Sequence, residues 1–419
     1  MSELYVELYG KLIGTLSKTA KGFDLKIDPE VFTEYQLSST IMSLAIPLNL
    51  QYTIAQKKRI GNFFAELLPE GRNYEWLAQS LTYEERNIYG MLRRYGKDIA
   101  GALTIYDPDD PASTEKAKAE PVDEKMVRYL MENMPLAALA NSPKSGKTSL
   151  GGVQGKIVLA KKSKIWHRVH YGYPSTHIIK PLVQEHPTMI YDEAFCMQMA
   201  QNSGLTKHPV WIENFDGIDA LVIERYDRNK DAKGDRLHQE DFNQVLGARG
   251  SEKYQEYGGK VSAKRIAQTL ARFGNNTDVK GFASQLLFAI AIGNLDMHAK
   301  NISILHYPDE SIRLAPTYDQ VPLRHQNTDG KMALAIGGVY GHANISLSDI
   351  TAELISWQCS GLSSESEVSI FVNTYLETYR KALTIAVPND KAYPKLKEDI
   401  SLFISNLQSG KKIGRTARD

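Results

Sequence analysis

Gly293-Asn294-Leu295-Asp296-Met297-His298-Ala299-Lys300-Asn301 is the stretch on which the reading of this chain turns. Asp296 and Asn301 stand in a D-x-x-x-x-N spacing. In phosphoryl-transfer enzymes the Asp of such a loop orients the acceptor hydroxyl and the Asn holds a metal. Lys300, beside Asn301, could neutralise charge on a transferred phosphoryl group. The nonamer directly follows Gln285–Ile292 (QLLFAIAI), an apolar run that reads as a buried helix. In isolation Asp296 could cap a turn and Asn301 start a strand, because the spacing alone is common by chance. The neighbouring segments give it weight.

Downstream, Pro316-Thr317-Tyr318-Asp319 offers a second acidic ligand. Mg²⁺ takes hard oxygens, usually one or two carboxylates, with phosphate and water completing its shell. Asp319 with Asn301 would suit it. Upstream, Ser149-Leu150-Gly151-Gly152-Val153-Gln154-Gly155-Lys156 is glycine-rich and precedes an apolar strand, Ile157–Ala160. Glycines let backbone amides approach a phosphate closely, although a flexible hairpin loop has the same composition. In Thr176-His177-Ile178-Ile179-Lys180 a lysine ends an apolar strand, where kinases keep the lysine that grips the α- and β-phosphates. Its alternative is a solvated strand end. Glu193, on a helix expected over 191–201, either pairs with Lys180 or lies on a solvated face. Leu221-Val222-Ile223-Glu224-Arg225-Tyr226-Asp227-Arg228 is an apolar strand entering a polar turn, and the backbone of Glu224 and Tyr226 could meet an adenine edge. Leu237–Phe242 is expected to start the first helix beyond this turn, with His238 structural.

Gly146-Lys147-Thr148 mimics the end of a Walker A loop. That motif needs a glycine where Asn141 stands and a preceding strand, so a P-loop ATPase is rejected. Glycine-rich loop, strand lysine, hinge strand, D-x-x-x-x-N and metal-ligand Asp occur in kinase order.

The totals set the frame. The chain has 419 residues, enough for two or three domains. Fifty basic residues oppose forty-nine acidic ones, which argues against a dominant binder of nucleic-acid polyanions. Two cysteines make neither a disulfide framework nor a zinc cluster and fit a reducing cytoplasm. The N-terminus lacks a signal-peptide pattern, and no apolar run is long enough to span a bilayer, so no membrane partner is expected. Tyr5–Tyr9 and Leu12–Leu16 alternate like strands around a Gly10-Lys11 turn. Ile60–Leu68 reads as a helix and Ala102–Tyr106 as a strand. Asp107–Glu124 holds three prolines and little to bury, as a linker would. Ile302–Leu305 and Ile312–Leu314 read as short strands. Ser409–Asp419, with Lys411, Lys412, Arg415 and Arg418, reads as a mobile basic tail.

Together SLGGVQGK, HIIKP, ERYDR, LHQEDF, DMHAKN and PTYD resemble the HipA serine/threonine kinases, toxins of bacterial HipBA modules linked to persistence. The resemblance extends through SLAIPL (43–48), NFF (62–64), LLP (67–69) and GALT (101–104), and covers most of the chain to about residue 380. It implies an α+β protein: a small N-terminal α+β domain on a bilobal protein-kinase-like fold with a mainly helical C-terminal lobe. The expected division is 1–110, a linker 111–125, an N-lobe 126–230, a C-lobe 231–408 and a tail 409–419.

The resemblance makes Asp296 catalytic and makes Asn301 and Asp319 ligands of Mg²⁺, while Lys300 keeps the catalytic role read from the nonamer, neutralising phosphoryl charge. It assigns ATP contacts to Gly151, Gly152, Val153, Gln154, Gly155, Lys156, Lys180, Glu224, Arg225, Tyr226, His298, Ala299, Asn301, Tyr318 and Asp319. Ser149 matches an autophosphorylated serine. Implied partners are a HipB-like helix-turn-helix antitoxin, operator DNA through that complex, and a protein substrate such as an aminoacyl-tRNA synthetase. The motifs depart from eukaryotic-type kinases: Asn294-Leu295 precede Asp296 where H-R would stand, and Asp319 follows Tyr318 with no D-F-G. Two alternatives stay open: an antitoxin-bound corepressor in which binding dominates, and a small-molecule phosphotransferase.

Overall fold

The computed structural model describes residues 3–20, 22–142, 145–151, 154–228 and 235–415. Gly152 and Val153 of the expected nucleotide loop, the lobe boundary near residue 230, and Arg418 of the tail lie outside the described residues. Three large buried apolar clusters organise the rest.

The first cluster is built by β1 (Leu4–Leu8), β2 (Lys11–Thr19), β3 (Gly22–Ile27), α1 (Ile54–Glu66), α2 (Gly71–Gln79), α3 (Ile88–Tyr95) and β4 (Leu103–Tyr106). The strands form an antiparallel sheet in the order β3-β2-β1-β4. Leu4, Val6 and Leu8 are buried on one face of β1, as a period of two requires. The hairpin turn is Tyr9-Gly10, one residue earlier than the expected Gly10-Lys11, and both turn residues have positive φ. α1 starts before Ile60 because Thr53 and Gln56 form a reciprocal capping box ahead of the apolar residues.

The second region runs through α4 (Pro111–Thr114), β5 (Lys118–Val122), α5 (Glu124–Glu132), β6 (Ile157–Lys162), β7 (Ile165–His170), β8 (His177–Pro181), α6 (Met189–Asn202), β9 (Val210–Phe215) and β10 (Ile218–Glu224); α5 and the strands line its cluster, while α6 sends Phe195, Cys196, Met199 and Ala200 into the third. Its six-stranded sheet runs β5-β7-β6-β8-β10-β9. The stretch 111–125 is therefore not a free linker. Its little apolar content suits β5, a mostly exposed edge strand paired to β7, where Pro121 is tolerated.

The third cluster belongs to β11 (His238–Asp241), α7 (Phe242–Val245), α8 (Ala263–Phe273), α9 (Asn276–Ile292), β12 (Ser303–His306), β13 (Ile312–Leu314), β14 (Lys331–Ile336), β15 (Val339–Gly341), α10 (Leu347–Ser356), α11 (Glu365–Ile385) and α12 (Leu396–Gln408). The expected helix start at Leu237 is corrected. His238–Asp241 pair with β12 as a strand, and only from Phe242 does the Asp241–Gln244 capping box turn the chain helical. His238 is structural: it is buried, and its Nε2 bonds the Met42 carbonyl at 2.8 Å. The tail is also corrected in part. Ile413 is buried, and the amides of Ile413 and Gly414 donate to the carbonyls of Ile345 and Ala343. Among the described residues no helix is long and apolar enough to cross a membrane.

α9 positions the decisive nonamer. It is buried without interruption from Phe282 to Ile292, which explains why its sequence lacks an amphipathic stripe. It stops at Gly293, whose φ of 71° is left-handed and whose carbonyl accepts the amides of Leu323 and Arg324. A Cβ on Gly293 would sit 2.7 Å from Arg324 Cβ. Gly293→Ala is expected to lower unfolding free energy by about 1–2 kcal/mol or more, read as an earlier urea midpoint.

Candidate active site

Lys180 is the penultimate residue of β8, in the middle of the second sheet, and its side chain is buried. It lies 2.8 and 3.0 Å from the two carboxylate oxygens of Glu193 on α6, and 2.6 Å from Asp319 beyond β13. Glu193 is fully buried and does not lie on a solvated face. Burial opposes the Lys180 charge, but Asp319 and Glu193 outweigh it and raise the lysine above its ordinary range. Burial likewise pushes Asp319 up, yet Lys180 and Lys156 pull it down to about 2. Asp319 is thus ionised at neutral pH. Its φ of 54° is a left-handed conformation that a non-glycine residue holds only when its surroundings enforce it.

The nonamer folds back on itself beside this pair. Asn294 Oδ1 accepts the Asp296 amide at 3.0 Å, and its Nδ2 donates to the Asp319 carbonyl at 3.4 Å. Asn301 Nδ2 donates to the Asp296 carbonyl at 2.9 Å, and the Tyr318 hydroxyl donates to the Lys300 carbonyl at 2.7 Å. Asp296, Asn301, Tyr318 and Asp319 are therefore tied into one unit. The Tyr254 hydroxyl donates to Asp296 Oδ1 at 3.0 Å. Burial pushes Asp296 up to about 6, the Tyr254 bond works against this, and the charge of Asp319 adds to it. His298 Nε2 lies 3.8 Å from Asp296, but burial holds that imidazole neutral, down at about 3. Ala299 is buried in the short helical turn, Ala299–Asn301, that follows His298.

Lys156 comes to the same place. It is buried, its amine donates to the Gly151 carbonyl at 2.5 Å, and burial followed by the Lys180 charge lowers it to about 8. A Cβ on Gly151 would meet nothing within 4 Å, so the loop leaves open space there. The Gln154 carbonyl accepts Asn73 Nδ2 from α2, and Gly155 packs near Met134.

The hinge is divided. The Tyr226 and Tyr318 rings lie 5.4 Å apart. The amides of Glu224 and Arg225, however, already donate to the carbonyls of Pro209 and Thr176. The Arg225 guanidinium points to Asp227, Ser175 and the Ile99 carbonyl, so this side chain is structural.

Ser149 is fully buried, its hydroxyl donating to the Leu67 carbonyl at 3.4 Å. Its segment is stitched to Asp98: Asp98 N donates to Lys147 O, and Ser149 N donates to Asp98 O. Asp98 also accepts Thr148 Oγ1 and Arg228.

Lys300 is corrected most. Expected at the transferred phosphoryl, its amine instead lies 2.7 Å from Glu66 and 2.9 Å from Glu70, both from the N-terminal region. Tyr254, Glu66, Glu70, Asp98 and the bridging role of Asn294 escaped the sequence reading. Asn294 stands inside the nonamer and could have been found there. The others approach only through folding.

Asn301 and Asp319 supply hard oxygens, and Asp319 is held charged, which fits Mg²⁺. Among the described residues no group of three or more His, Cys, Asp and Glu side chains converges into a self-sufficient metal site. A metal here would need phosphate and water oxygens to complete its shell.

Known proteins resemble this chain along most of its length. The profile for the HipA-like C-terminal domain matches residues 148–381, and that for the HipA N-terminal domain matches 4–106. Y4mE of Sinorhizobium fredii is 34% identical over 306 residues, 71% of this chain and 70% of that protein. The serine/threonine-protein kinase toxin HipA of Shewanella oneidensis is 28% identical over 319 residues, 72% of each chain. A solved HipA from the Shewanella oneidensis MR-1 complex of HipA, HipB and operator DNA superposes with a TM-score of 0.73 at 23% identity, covering 97% of this chain and 95% of that one.

Proposed function

We propose, from the premise that this chain belongs to the HipA family, that it is an ATP- and Mg²⁺-dependent serine/threonine-protein kinase and the toxin of a type II toxin–antitoxin pair. One observation carries the reading: Lys180, clamped by Glu193 and Asp319, stands beside a loop in which Asp296 and Asn301 are hydrogen-bonded into one unit with Asp319. Strand lysine, helix glutamate, metal aspartate and acceptor-side aspartate are the parts phosphoryl transfer asks for.

Asn301 and Asp319 would hold Mg²⁺ when it is bound with ATP, and the ion would then neutralise phosphate charge. Lys180 and Lys156 add positive charge on the side of the sheet. Asp296, ionised above about pH 6, accepts the proton of the acceptor hydroxyl and orients its oxygen. The acceptor is a serine on a protein. Family resemblance points to a translation component such as an aminoacyl-tRNA synthetase, acting in the cytoplasm. The Shewanella complex suggests a HipB-like antitoxin and operator DNA as partners. With a net charge of only +1, this chain would draw most of its DNA affinity from the antitoxin.

Intact mass after incubation of dephosphorylated protein with Mg·ATP tests the reading. A gain of one phosphate, mapped to Ser149 and lost in Asp296→Asn, supports it. Phosphate appearing only on small molecules would favour a small-molecule phosphotransferase.

Ser149 is also the proposed off-switch. A phosphate adds about −1.5 to −2 charge, and buried Ser149 faces the Leu67 carbonyl, which would repel it. The phosphorylated segment must leave, taking the glycine-rich loop with it. Ser149→Asp is expected to weaken ATP binding about tenfold or more, equivalent to about 1.4 kcal/mol. Unchanged affinity by calorimetry would remove the switch from the proposal.

A further inference from the structure

Lys300 sits immediately before Asn301, yet its amine is engaged by the N-terminal region. It lies against Glu66 Oε2 at 2.7 Å, Glu70 Oε1 at 2.9 Å and the Glu66 carbonyl at 3.5 Å. Glu66 accepts two hydrogen bonds from this ammonium, and Glu70 adds an ion pair. Burial opposes its charge, but Glu66, Asp241 and Glu70 outweigh burial and raise it.

The carboxylates are held as firmly. Glu66 Oε1 accepts the Gly250 amide at 3.1 Å, and Oε2 also accepts Asn243 Nδ2 at 2.9 Å. Glu70 Oε2 lies 2.8 Å from Lys253, the residue before Tyr254, whose hydroxyl bonds Asp296. Gln244 Nε2 donates to the Phe63 carbonyl, and Asn62 Nδ2 to the Gly247 carbonyl. The C-terminal end of α1 and the Leu67–Glu70 turn are thus wedged between the catalytic loop and the segment that carries Tyr254.

We propose that Glu66 and Glu70 are positioning residues: through Lys300 and Lys253 they hold the catalytic loop and Tyr254 in register, so that phosphoryl transfer is competent only with the N-terminal domain docked. This rests on the kinase reading. It moves Lys300 from phosphoryl neutraliser to anchor and leaves charge neutralisation to Lys156 and Lys180. The Lys300–Glu66 pair is buried and the Lys253–Glu70 pair partly so, a demanding arrangement, since losing one partner of a buried pair strands the other without compensation. Misplacing reacting groups by about 1 Å can lower a rate about 10²-fold.

The experiment compares the full-length parent with Glu66→Gln/Glu70→Gln, Lys300→Met and the triple variant, each checked for folding by thermal melt. Two readouts are taken: kinetics with Mg·ATP, and backbone amide exchange over 294–303, which needs no activity. The expected result is faster exchange over 294–303 in the double variant, kcat lowered about 10–10²-fold, and KM for ATP within about twofold. Lys300→Met should fall by a similar factor, with little further loss in the triple variant. The inference is overturned if the double variant keeps or gains kcat while Lys300→Met loses both kcat and ATP affinity, because freed Lys300 would then be acting on phosphate. Unchanged exchange in the double variant also overturns it. A parent inactive towards every acceptor, with exchange still accelerated in the double variant, would count against the kinase reading and leave the coupling between domain and loop standing.

Discussion

Asp296→Asn is expected to lower phosphoryl transfer by about 10²–10⁴-fold, the range of a positioned general base, while ATP affinity stays near the parent value. The amide keeps an oxygen that can accept the Tyr254 hydroxyl, so the loop geometry survives. What disappears is the proposed acceptor of the hydroxyl proton. Burial has raised that carboxyl to about 6, so the parent should lose activity as pH falls through about 6, where Asp296 becomes protonated. The variant's residual activity should lack this acidic limb. The stability sign runs the other way. A carboxylate whose pKa rises on folding weakens the fold once it is ionised. Asp296→Asn should therefore melt no lower than the parent at neutral pH, and slightly higher if Tyr254 keeps its bond. Residual turnover within tenfold of the parent, with an unchanged pH limb, would remove Asp296 from the chemistry.

Lys180→Met should have the largest effect on folding and activity together. It leaves the fully buried Glu193 beside Asp319 with no cation between them. Stranding a buried charge in this way costs about 3–5 kcal/mol, visible as a large fall in Tm, and nucleotide affinity should be lost with it. A second variant separates the two losses. Lys180→Met/Glu193→Met replaces the buried pair by apolar volume, which is often nearly neutral, so stability should recover while nucleotide binding does not. The acid limb follows from Asp319. Its pKa is depressed to about 2 in the fold, so its contribution is present above the unfolded carboxyl range and lost as pH falls towards about 2. That limb should vanish in Lys180→Met, as acid titrations of circular dichroism would show.

Tertiary pairing overrode local pattern at particular places. Residues 111–125 hold too little apolar surface to look like part of a sheet, yet β5 needs only backbone bonds to β7 along an edge. Residues 238–241 look like the approach to a helix, and β12 recruits them as a strand. The Ser409–Asp419 tail carries charge but also Ile413, which the third core buries. For Arg225 the hinge position was legible, but the direction of its side chain was not, because Asp227 and the Ile99 carbonyl claim it.

By itself the sequence determined the elements whose signal is local. α9 follows from an unbroken apolar run with a glycine stop, the proposed roles of Asp296 and Asn301 from the spacing within 293–301 and the order of motifs before it, and the family from those motifs together. Only the tertiary structure decided which charges meet. Lys180 finds Glu193 across 13 residues and Asp319 across 139, while Lys300 is claimed by Glu66 across 234. A buried ammonium binds whichever carboxylates the packed elements bring within about 3 Å, and sequence spacing says nothing of that distance once the partners lie on different elements.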